Sequence, residues 1–154
     1  MNFLGNKIPP PVVGLVFALL IWAISTATPT ARILSDQQAL VVAIALLVLG
    51  IGFVIAGGIS FRAAATTVNP LKPESASSLV TSGVFKYSRN PMYVGLTIIL
   101  LAWTTYLAAP FGLVAVIGFM AYIQRYQITP EERALIKLFG SEFEAYQSTV
   151  RRWL

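Results

Sequence analysis

The sequence predicts an all-α integral membrane protein with about four transmembrane helices, the last two forming a short hairpin, followed by amphipathic cytoplasmic helices. Of the 154 residues, 56% are hydrophobic and only 11% are charged, whereas a soluble domain carries about 25% charged residues. The apolar residues also come in long blocks instead of alternating with polar ones. A chain of this length suits one domain, which we take to cover 1–154.

The first two apolar blocks predict the first two spans. The block at 12–28 is longer than the ~7–15 apolar residues of a signal peptide, so we interpret it as a span and keep a cleaved signal as the alternative. The block at 39–61 contains no charge and reaches the ~20 residues that a bilayer core requires. Within it, Gly52, Ala56 and Ser60 recur every four residues, which predicts a small-residue face for close helix packing.

Two shorter blocks, 92–109 and 111–124, are separated only by Pro110. Helices joined by so short a connection are neighbours, so the pattern predicts an antiparallel hairpin. Trp103 and Tyr106 near its tip match the aromatic residues that collect at membrane interfaces. The hairpin brings the predicted number of spans to four.

The polar connection 62–91 is 30 residues long. Connections of that length without secondary structure are usually functional or disordered. Leu79, Val80, Phe85 and Tyr87 supply apolar and aromatic side chains, in which disordered segments are poor. We therefore expect an ordered loop that packs on the membrane face and contributes to a site.

The tail has the composition of soluble helices. Thr129, Pro130 and Glu132 form the pattern of a helix start, with Thr129 as the N-cap and Glu132 closing a capping box. Apolar residues at helical spacing then predict two short amphipathic helices, roughly 130–139 and 142–149. Such helices lie on a membrane surface or close over the long loop.

The distribution of positive charge predicts the topology. Four spans place the N-terminus, the loop 62–91 and the tail 129–154 on one side, which then holds ten of the eleven Lys and Arg residues. The opposite side holds only Arg32. Because cytoplasmic loops carry the excess of Lys and Arg, we expect a multi-pass protein with both termini in the cytoplasm. The same bias accounts for the net charge of +5, so nucleic acid is not an expected partner.

The chain contains no Cys and no His. Without Cys it has no disulfide, no thiolate nucleophile and no Cys-ligated metal. Without His it lacks the commonest general base near neutral pH and the commonest metal ligand. We therefore expect no metal site, and any chemistry must use the remaining polar residues or come from a cofactor.

Two segments around the hairpin together carry a family pattern. The first is the run Arg89-Asn90-Pro91-Met92-Tyr93-Val94-Gly95, and the second contains Glu131, Glu132, Phe139, Gly140, Phe143 and Tyr146. In this order and at this separation, they resemble the isoprenylcysteine carboxyl methyltransferase and phospholipid methyltransferase superfamily, in its small bacterial form. The resemblance covers about 66–153.

The resemblance implies methyl transfer from S-adenosyl-L-methionine to a lipid-like or hydrophobic acceptor at the membrane. It assigns cofactor binding to residues of the loop, of the motif and of the tail: Ser77, Ser78, Leu79, Val80, Phe85, Asn90, Pro91, Met92, Tyr93 and Glu131. It assigns catalysis to Arg89, Arg125 and Glu132. Asn90 stands where the family has His, and Gln127 stands where the family has an Arg near the acceptor, for which Arg125 is the nearest substitute.

The chemistry of the methyl donor agrees with these residues. Its sulfonium cation favours a neighbouring carboxylate such as Glu131 or Glu132, and Tyr87 and Tyr93 offer aromatic faces to a cation or to adenine. Because the methyl group is already activated, the protein mainly has to align donor and acceptor. A carboxylate acceptor needs no base, whereas an amine acceptor must be neutral when it attacks.

Several alternatives stay open at this stage. The acceptor is an isoprenylcysteine-type carboxylate, a phospholipid-type amine, or another hydrophobic acid, amine or thiol. A different enzyme class is a membrane reductase that uses NADPH, since some sterol reductases resemble this superfamily in their C-terminal region. A further alternative is a non-catalytic membrane partner protein. The oligomeric state does not follow from the sequence.

Overall fold

A computed structural model describes residues 8–29, 34–64 and 77–154, and within these ranges the chain is helical and contains no strand. This agrees with the predicted all-α class. Six α-helices follow in chain order: α1 (Pro10–Ala27), α2 (Asp36–Ala63), α3 (Pro91–Tyr106), α4 (Gly112–Ile123), α5 (Thr129–Phe139) and α6 (Ser141–Thr149). A 3-10 turn, Gly83–Lys86, precedes α3, and a π-helical turn, Gln124–Ile128, joins α4 to α5.

Helices α1 to α4 run alternately in opposite directions and pack side by side. Helix α3 contacts α1, α2 and α4, and α1 also packs on α4. Leu100, Phe119 and Ile123 lie in the core that α1, α3 and α4 share, and they are at most 3% exposed. The carbonyl of Ile8 accepts a hydrogen bond from Nε2 of Gln127 at 2.7 Å. The start of α1 therefore lies beside the π-helical turn, at the end of the bundle where α3 begins.

The outer faces of α1 and α2 are apolar and exposed. Leu15 of α1 is 62% exposed, and Val48 and Ile59 of α2 are 65% and 60% exposed. Both helices are long and apolar enough to cross a membrane, whereas α3 is apolar but shorter. Because large exposed apolar patches are disfavoured in water, these faces associate the protein with a membrane.

Part of the predicted topology falls outside the described residues. The cations Lys7, Arg32 and Lys72 are in this group, and so is the loop segment 65–76. The charge count on each side of the membrane therefore stays a prediction. Four parts of the described chain lie at the same end of the bundle. They are the start of α1, the end of α2, the start of α3 and the π-helical turn.

Helix α2 starts three residues before the predicted span 39–61 because Ser35 caps it. The Ser35 hydroxyl accepts a hydrogen bond from the backbone N–H of Gln38 at 3.3 Å. In return, Oε1 of Gln38 accepts one from the backbone N–H of Ser35 at 3.0 Å. This capping box satisfies two N–H groups that the helix itself leaves unpaired.

Helices α2 and α3 approach most closely where Gly50 meets Gly95. A Cβ atom added at Gly95 would lie 2.6 Å from the carbonyl oxygen of Gly50, and one added at Gly50 would lie 2.8 Å from that of Gly95. Seven residues further along α2, Gly57 packs against the side chain of Met92. The predicted small-residue face was wrong at Gly52, where an added Cβ would meet nothing within 4 Å.

Replacing Gly95 by Ala should lower the free energy of unfolding by about 1–3 kcal/mol, since the new methyl group forces two backbones apart. The matched control is Gly52→Ala. It should leave stability unchanged or raise it by up to ~1 kcal/mol, because Ala favours the helix over Gly. Thermal unfolding of both variants in one detergent measures the difference, and equal melting temperatures would contradict the close contact.

The hairpin of α3 and α4 is antiparallel, but its turn is longer than predicted. Helix α3 ends at Tyr106 rather than at 109, and α4 begins at Gly112. The five residues between them form the turn, in which Ala108 adopts a positive φ of 47°. The helices are therefore separated by a structured turn and not by Pro110 alone.

Helices α4 and α5 form one continuous helix through the π-helical turn, so the predicted helix start at Thr129 was wrong. The backbone of Ile128 is helical, with φ −64° and ψ −48°, and no side chain caps α5. The Thr129 hydroxyl instead donates to the carbonyl of Gln124, five residues back, at 2.7 Å. Pro130 has no N–H and its ring crowds the preceding turn, which the wider π-helical turn accommodates. Glu132 consequently closes no capping box.

Candidate functional site

The first turns of α3 and α5 meet through a hydrogen bond. The Tyr93 hydroxyl donates to Oε2 of Glu131 at 3.1 Å, although the residues are 38 positions apart. Tyr93 is 7% exposed and belongs to the core that contains Ile123 and Ile128. Pro91, near the N-terminus of α3, has a fixed φ that suits the first turn of a helix. The pair therefore places a carboxyl group and an aromatic ring together at the edge of the apolar core.

The Glu131 carboxyl is a much weaker acid than usual. Burial raises its pKa from the ordinary 4.5 to about 7, the hydrogen bond from Tyr93 partly opposes this rise, and the charge of Glu132 adds to it. At neutral pH the carboxyl therefore exists in both its neutral and its charged form. A cation beside it would favour the charged form and displace the proton.

The neighbouring Glu132 binds two arginine side chains. Nη2 of Arg89 lies 3.0 Å from Oε1 of Glu132, and Nη2 of Arg152 lies 2.6 Å from Oε2. Nε of Arg152 also donates to Oε1 at 3.1 Å. The side chains of Arg89 and Glu132 are only 11% and 10% exposed. Both oxygens of this carboxylate are thus held by cations in a partly dehydrated place.

Asn90 connects the motif to the C-terminal segment. Its Nδ2 donates to the carbonyl of Arg152 at 2.8 Å, and its backbone N–H donates to the Ser88 hydroxyl at 3.1 Å. The backbone N–H of Arg89 donates to the carbonyl of Arg151 at 2.9 Å. Asn90 therefore stabilises the tail against the motif, and its side chain does not cap α3.

Helix α6 holds the 3-10 turn in place. The Tyr146 hydroxyl donates to the carbonyl of Phe85 at 2.7 Å, and burial raises the pKa of Tyr146 to about 12. The ring of Phe85 packs edge-on against Phe61 of α2, with centroids 5.2 Å apart. The tail thus lies over the described end of the loop, which is one of the two placements predicted for it.

Five of the residues that the resemblance assigned to the site come together here. Tyr93 bonds to Glu131, and Arg89 pairs with the adjacent Glu132. Asn90 bonds to the backbone of Arg152, whose side chain also pairs with Glu132. The five residues are Arg89, Asn90, Tyr93, Glu131 and Glu132.

The other assigned residues have different surroundings. Val80 and Phe85 are buried in packing, and Met92 packs against α2. Leu79 is half-buried, and Ser77 is exposed at the edge of the described loop.

Ser78 and Arg125 differ from the clustered residues. The Ser78 hydroxyl donates to the carbonyl of Ala64 at 2.9 Å, so it connects the loop to the end of α2. Arg125 is exposed on the π-helical turn, and its side chain makes no hydrogen bond or ion pair in the described part of the chain. The structure therefore does not bring Arg125 into the ion-pair cluster of Arg89 and Glu132.

Sequence reasoning missed two residues as members of this region. Arg152 is the second cation bound to Glu132, from which it is 20 positions away in the chain. Helical periodicity relates residues within one helix only, so it could not predict this contact. Gln127 is 0% exposed, and its Oε1 has no hydrogen-bond partner among the described residues. Its only signal in the sequence was that it stands where the resembling family has an arginine.

Comparison with known proteins identifies the family to which this arrangement belongs. A profile of the phospholipid methyltransferase family matches residues 38–142. The chain belongs to the phospholipid methyltransferase family. The matched range includes the motif at 89–95 and the glutamates of α5, so the superfamily resemblance read from these segments is confirmed. The protein is thus a member of a methyltransferase family associated with membranes.

A relative with no assigned function extends the comparison. An uncharacterised protein of Haemophilus influenzae is 44% identical over 63 residues, which is 41% of this chain and 100% of the relative. No solved structure matches the chain.

Proposed function

We propose that this member of the phospholipid methyltransferase family transfers the methyl group of S-adenosyl-L-methionine to a hydrophobic acceptor at the membrane. The contact between Tyr93 and Glu131 carries the proposal, because it sets an aromatic ring beside a carboxyl group where α3 begins. Both residues lie within the matched range 38–142. A sulfonium cation is stabilised by such a pair through charge and through the aromatic face.

The donor set of the region fits this cofactor. Glu131 has a pKa of about 7 because of its burial. A sulfonium cation bound beside it would lower this pKa, so the carboxyl would carry its negative charge in the complex. The cations Arg89 and Arg152 are both paired with Glu132, which offsets one of their two positive charges.

Within this proposal the residues divide by role. Glu131 and Tyr93 hold the sulfonium end, and Arg89 and Glu132 position the motif, since they are bonded to each other. Arg125 remains proposed as the cation near the acceptor. The rest of the cradle is proposed to contain Ser77, Ser78, Leu79, Val80, Phe85, Asn90, Pro91 and Met92. When bound, the cofactor supplies an activated methyl group, and these residues align the acceptor with it and exclude water.

We further propose that α1 to α4 all cross the bilayer, with both termini in the cytoplasm. Helix α3 has 16 residues and spans ~24 Å at 1.5 Å per residue, which is shorter than the ~30 Å hydrocarbon core. Local thinning of the bilayer or a tip near the far interface accommodates a short hairpin. The site then lies at the cytoplasmic surface, where a soluble cofactor meets a lipid-borne acceptor.

Two assays on the purified protein test the proposed function. Calorimetry should show binding of S-adenosyl-L-methionine, weakened about tenfold or more in Tyr93→Ala, which removes both the ring and a hydrogen bond to a charged group. Incubation with methyl-labelled donor and a total lipid extract should label a lipid-like product. The exposed α6 residue Glu144 supplies the control variant Glu144→Gln, which should match the wild type.

Other outcomes would favour the alternatives. Thermal stabilisation by NADPH without stabilisation by S-adenosyl-L-methionine would assign the chain to the reductases. Absence of binding by either cofactor would favour a non-catalytic membrane partner.

A further inference from the structure

A groove of about 400 Å³ lies among α1, α2 and α3, and its volume is in the range of ~300–1,000 Å³ that small-molecule sites occupy. Each helix contributes an alanine to it, which leaves the space that a larger side chain would fill. These alanines are Ala18, Ala43 and Ala102. Ala43 and Ala102 are only 6% and 5% exposed, so they form the floor of the groove.

The groove opens onto the outer face of α2. Leu40, Ile44 and Leu47 line it at a helical spacing that places them on one side of α2. They are 46%, 51% and 41% exposed, and Ile44 is one turn from Val48 of the apolar face described above. The wall of the groove is almost entirely apolar, and apolar cavities do not hold water. The groove is therefore continuous with the surface that contacts the hydrocarbon of the membrane.

Two aromatic residues mark the outer end of the groove. Trp103 lines it, and its Nε1 donates to the carbonyl of Ala18 at 3.0 Å. The ring of Trp103 stacks on that of Tyr106, with centroids 5.7 Å apart. Trp and Tyr collect where the polar headgroups meet the hydrocarbon layer. The groove thus has the order of a lipid, with an interfacial end and an apolar space beside it.

The size of the groove favours a hydrocarbon chain over a protein segment. From Leu40 to Leu47 it follows α2 for ~10 Å, at 1.5 Å per residue. An α-helix of that length and ~10 Å in diameter fills roughly 800 Å³, about twice the volume of the groove. A helix of a second copy is therefore too large to enter, whereas a single hydrocarbon chain is much narrower.

The groove is separate from the contact between Tyr93 and Glu131. Tyr93 and Trp103 are ten residues apart on α3, which corresponds to ~15 Å. Between them, a Cβ atom added at Gly50 would lie 2.8 Å from both the carbonyl oxygen of Gly95 and Cγ1 of Ile99. The boundary of α2 and α3 has no room there even for a methyl group. A chain in the groove consequently does not reach the candidate site along this boundary.

We propose that the groove binds one acyl chain of a membrane lipid, as a site distinct from that of the methyl acceptor. It lies toward the end of α3 that is opposite to Tyr93. The chain fills the space that the three alanines leave, and its contacts stabilise the packing of α1 and α2 on α3. The headgroup of the same lipid lies near Trp103 and Tyr106.

Quenching of Trp103 fluorescence tests this site. The variant Trp22→Phe with Trp153→Phe leaves Trp103 as the single tryptophan. It is placed in vesicles of phosphatidylcholine with brominated or with ordinary acyl chains, since bromine quenches tryptophan on contact. We expect strong quenching by the brominated lipid. Adding Ala43→Phe fills the groove and should remove half of the quenching or more. The matched control Val41→Phe introduces the same ring at a 61% exposed position of α2 and should keep it.

The other outcomes decide against the site. Absence of quenching before the groove is filled would overturn the proposal, as would equal quenching in the folded Ala43→Phe and Val41→Phe variants. Quenching that falls as the protein-to-lipid ratio rises would assign the groove to a second copy of the chain. If Ala43→Phe does not fold, Ile44→Phe at the exposed rim replaces it, with the same expected loss and the same contrary result.

Discussion

Binding of S-adenosyl-L-methionine at about pH 6.5 should release roughly 0.5–0.8 proton per protein molecule. The pKa of Glu131 is raised to about 7, so most molecules carry a neutral carboxyl at this pH. A sulfonium cation placed beside the carboxyl favours its charged form and lowers its pKa. Calorimetric titrations in buffers of different ionisation enthalpy measure the number of protons released.

Glu131→Gln supplies the decisive comparison, because it keeps the shape of the side chain and cannot titrate. It should bind the cofactor more weakly and release no proton, while the control Glu144→Gln should behave as the wild type. The affinity of the wild type should also rise with pH through about 7, since the charged carboxyl is the form that binds a cation. Proton release of equal size in Glu131→Gln would remove Glu131 from the cofactor site.

The same carboxyl gives the stability of the unliganded protein a pH dependence. Its pKa is about 7 when folded, against an ordinary value of 4.5, so between these values the folded state binds more protons than the unfolded state. The contribution of Glu131 to stability is therefore fully present below the lower value and is lost as the pH rises through this window. The loss should reach about 3 kcal/mol by pH 8. Glu131→Gln should flatten this slope in thermal unfolding measurements.

The membrane character of the fold could be predicted because block length and composition are properties of the sequence alone. Helix boundaries could not, since they depend on local competition among backbone partners. Ser35 and Gln38 extend α2 through a capping box. Thr129, read as a cap, bonds instead to a carbonyl five residues back within a continuous helix. The sequence shows that a Thr is present, but the preceding turn decides whether it caps a helix or continues one.

The packing face of α2 shows a similar limit. Gly50 and Gly52 are two residues apart, and therefore lie on different sides of the helix. Both are small residues in an apolar block, so composition alone does not distinguish them. Only the position of α3 decides that Gly50 meets Gly95.

The candidate site was predictable where a motif carried it. The motif at 89–95 and the glutamates of α5 were assigned to one site, and the structure brings Tyr93 and Glu131 into contact. The second ion-pair partner of Glu132 was not predicted, because Arg152 lies beyond the end of α6 and no periodicity relates the two residues. Their pairing depends on how α6 returns to the start of α3, which is a property of the tertiary fold.

Glu132→Ala should destabilise the protein by about 3–5 kcal/mol. Its removal leaves Arg89, whose side chain is 11% exposed, as an uncompensated charge in a partly dehydrated place. It also frees Arg152, which is 35% exposed and can turn toward water. Thermal unfolding and the yield of folded protein in detergent measure the loss. Glu144→Ala, which removes a carboxylate from an exposed position, should change neither.

The double variant Arg89→Met with Glu132→Leu shows whether this ion pair only positions the motif or also takes part in methyl transfer. Replacing both members of a buried pair by apolar residues is often neutral for stability, whereas removing one is not. The double variant should therefore recover most of the stability lost in Glu132→Ala. If the pair only positions the motif, the recovered protein also binds S-adenosyl-L-methionine with nearly wild-type affinity, because Tyr93 and Glu131 remain. A folded double variant that binds the donor but transfers no methyl group would instead place Arg89 or Glu132 at the reacting atoms.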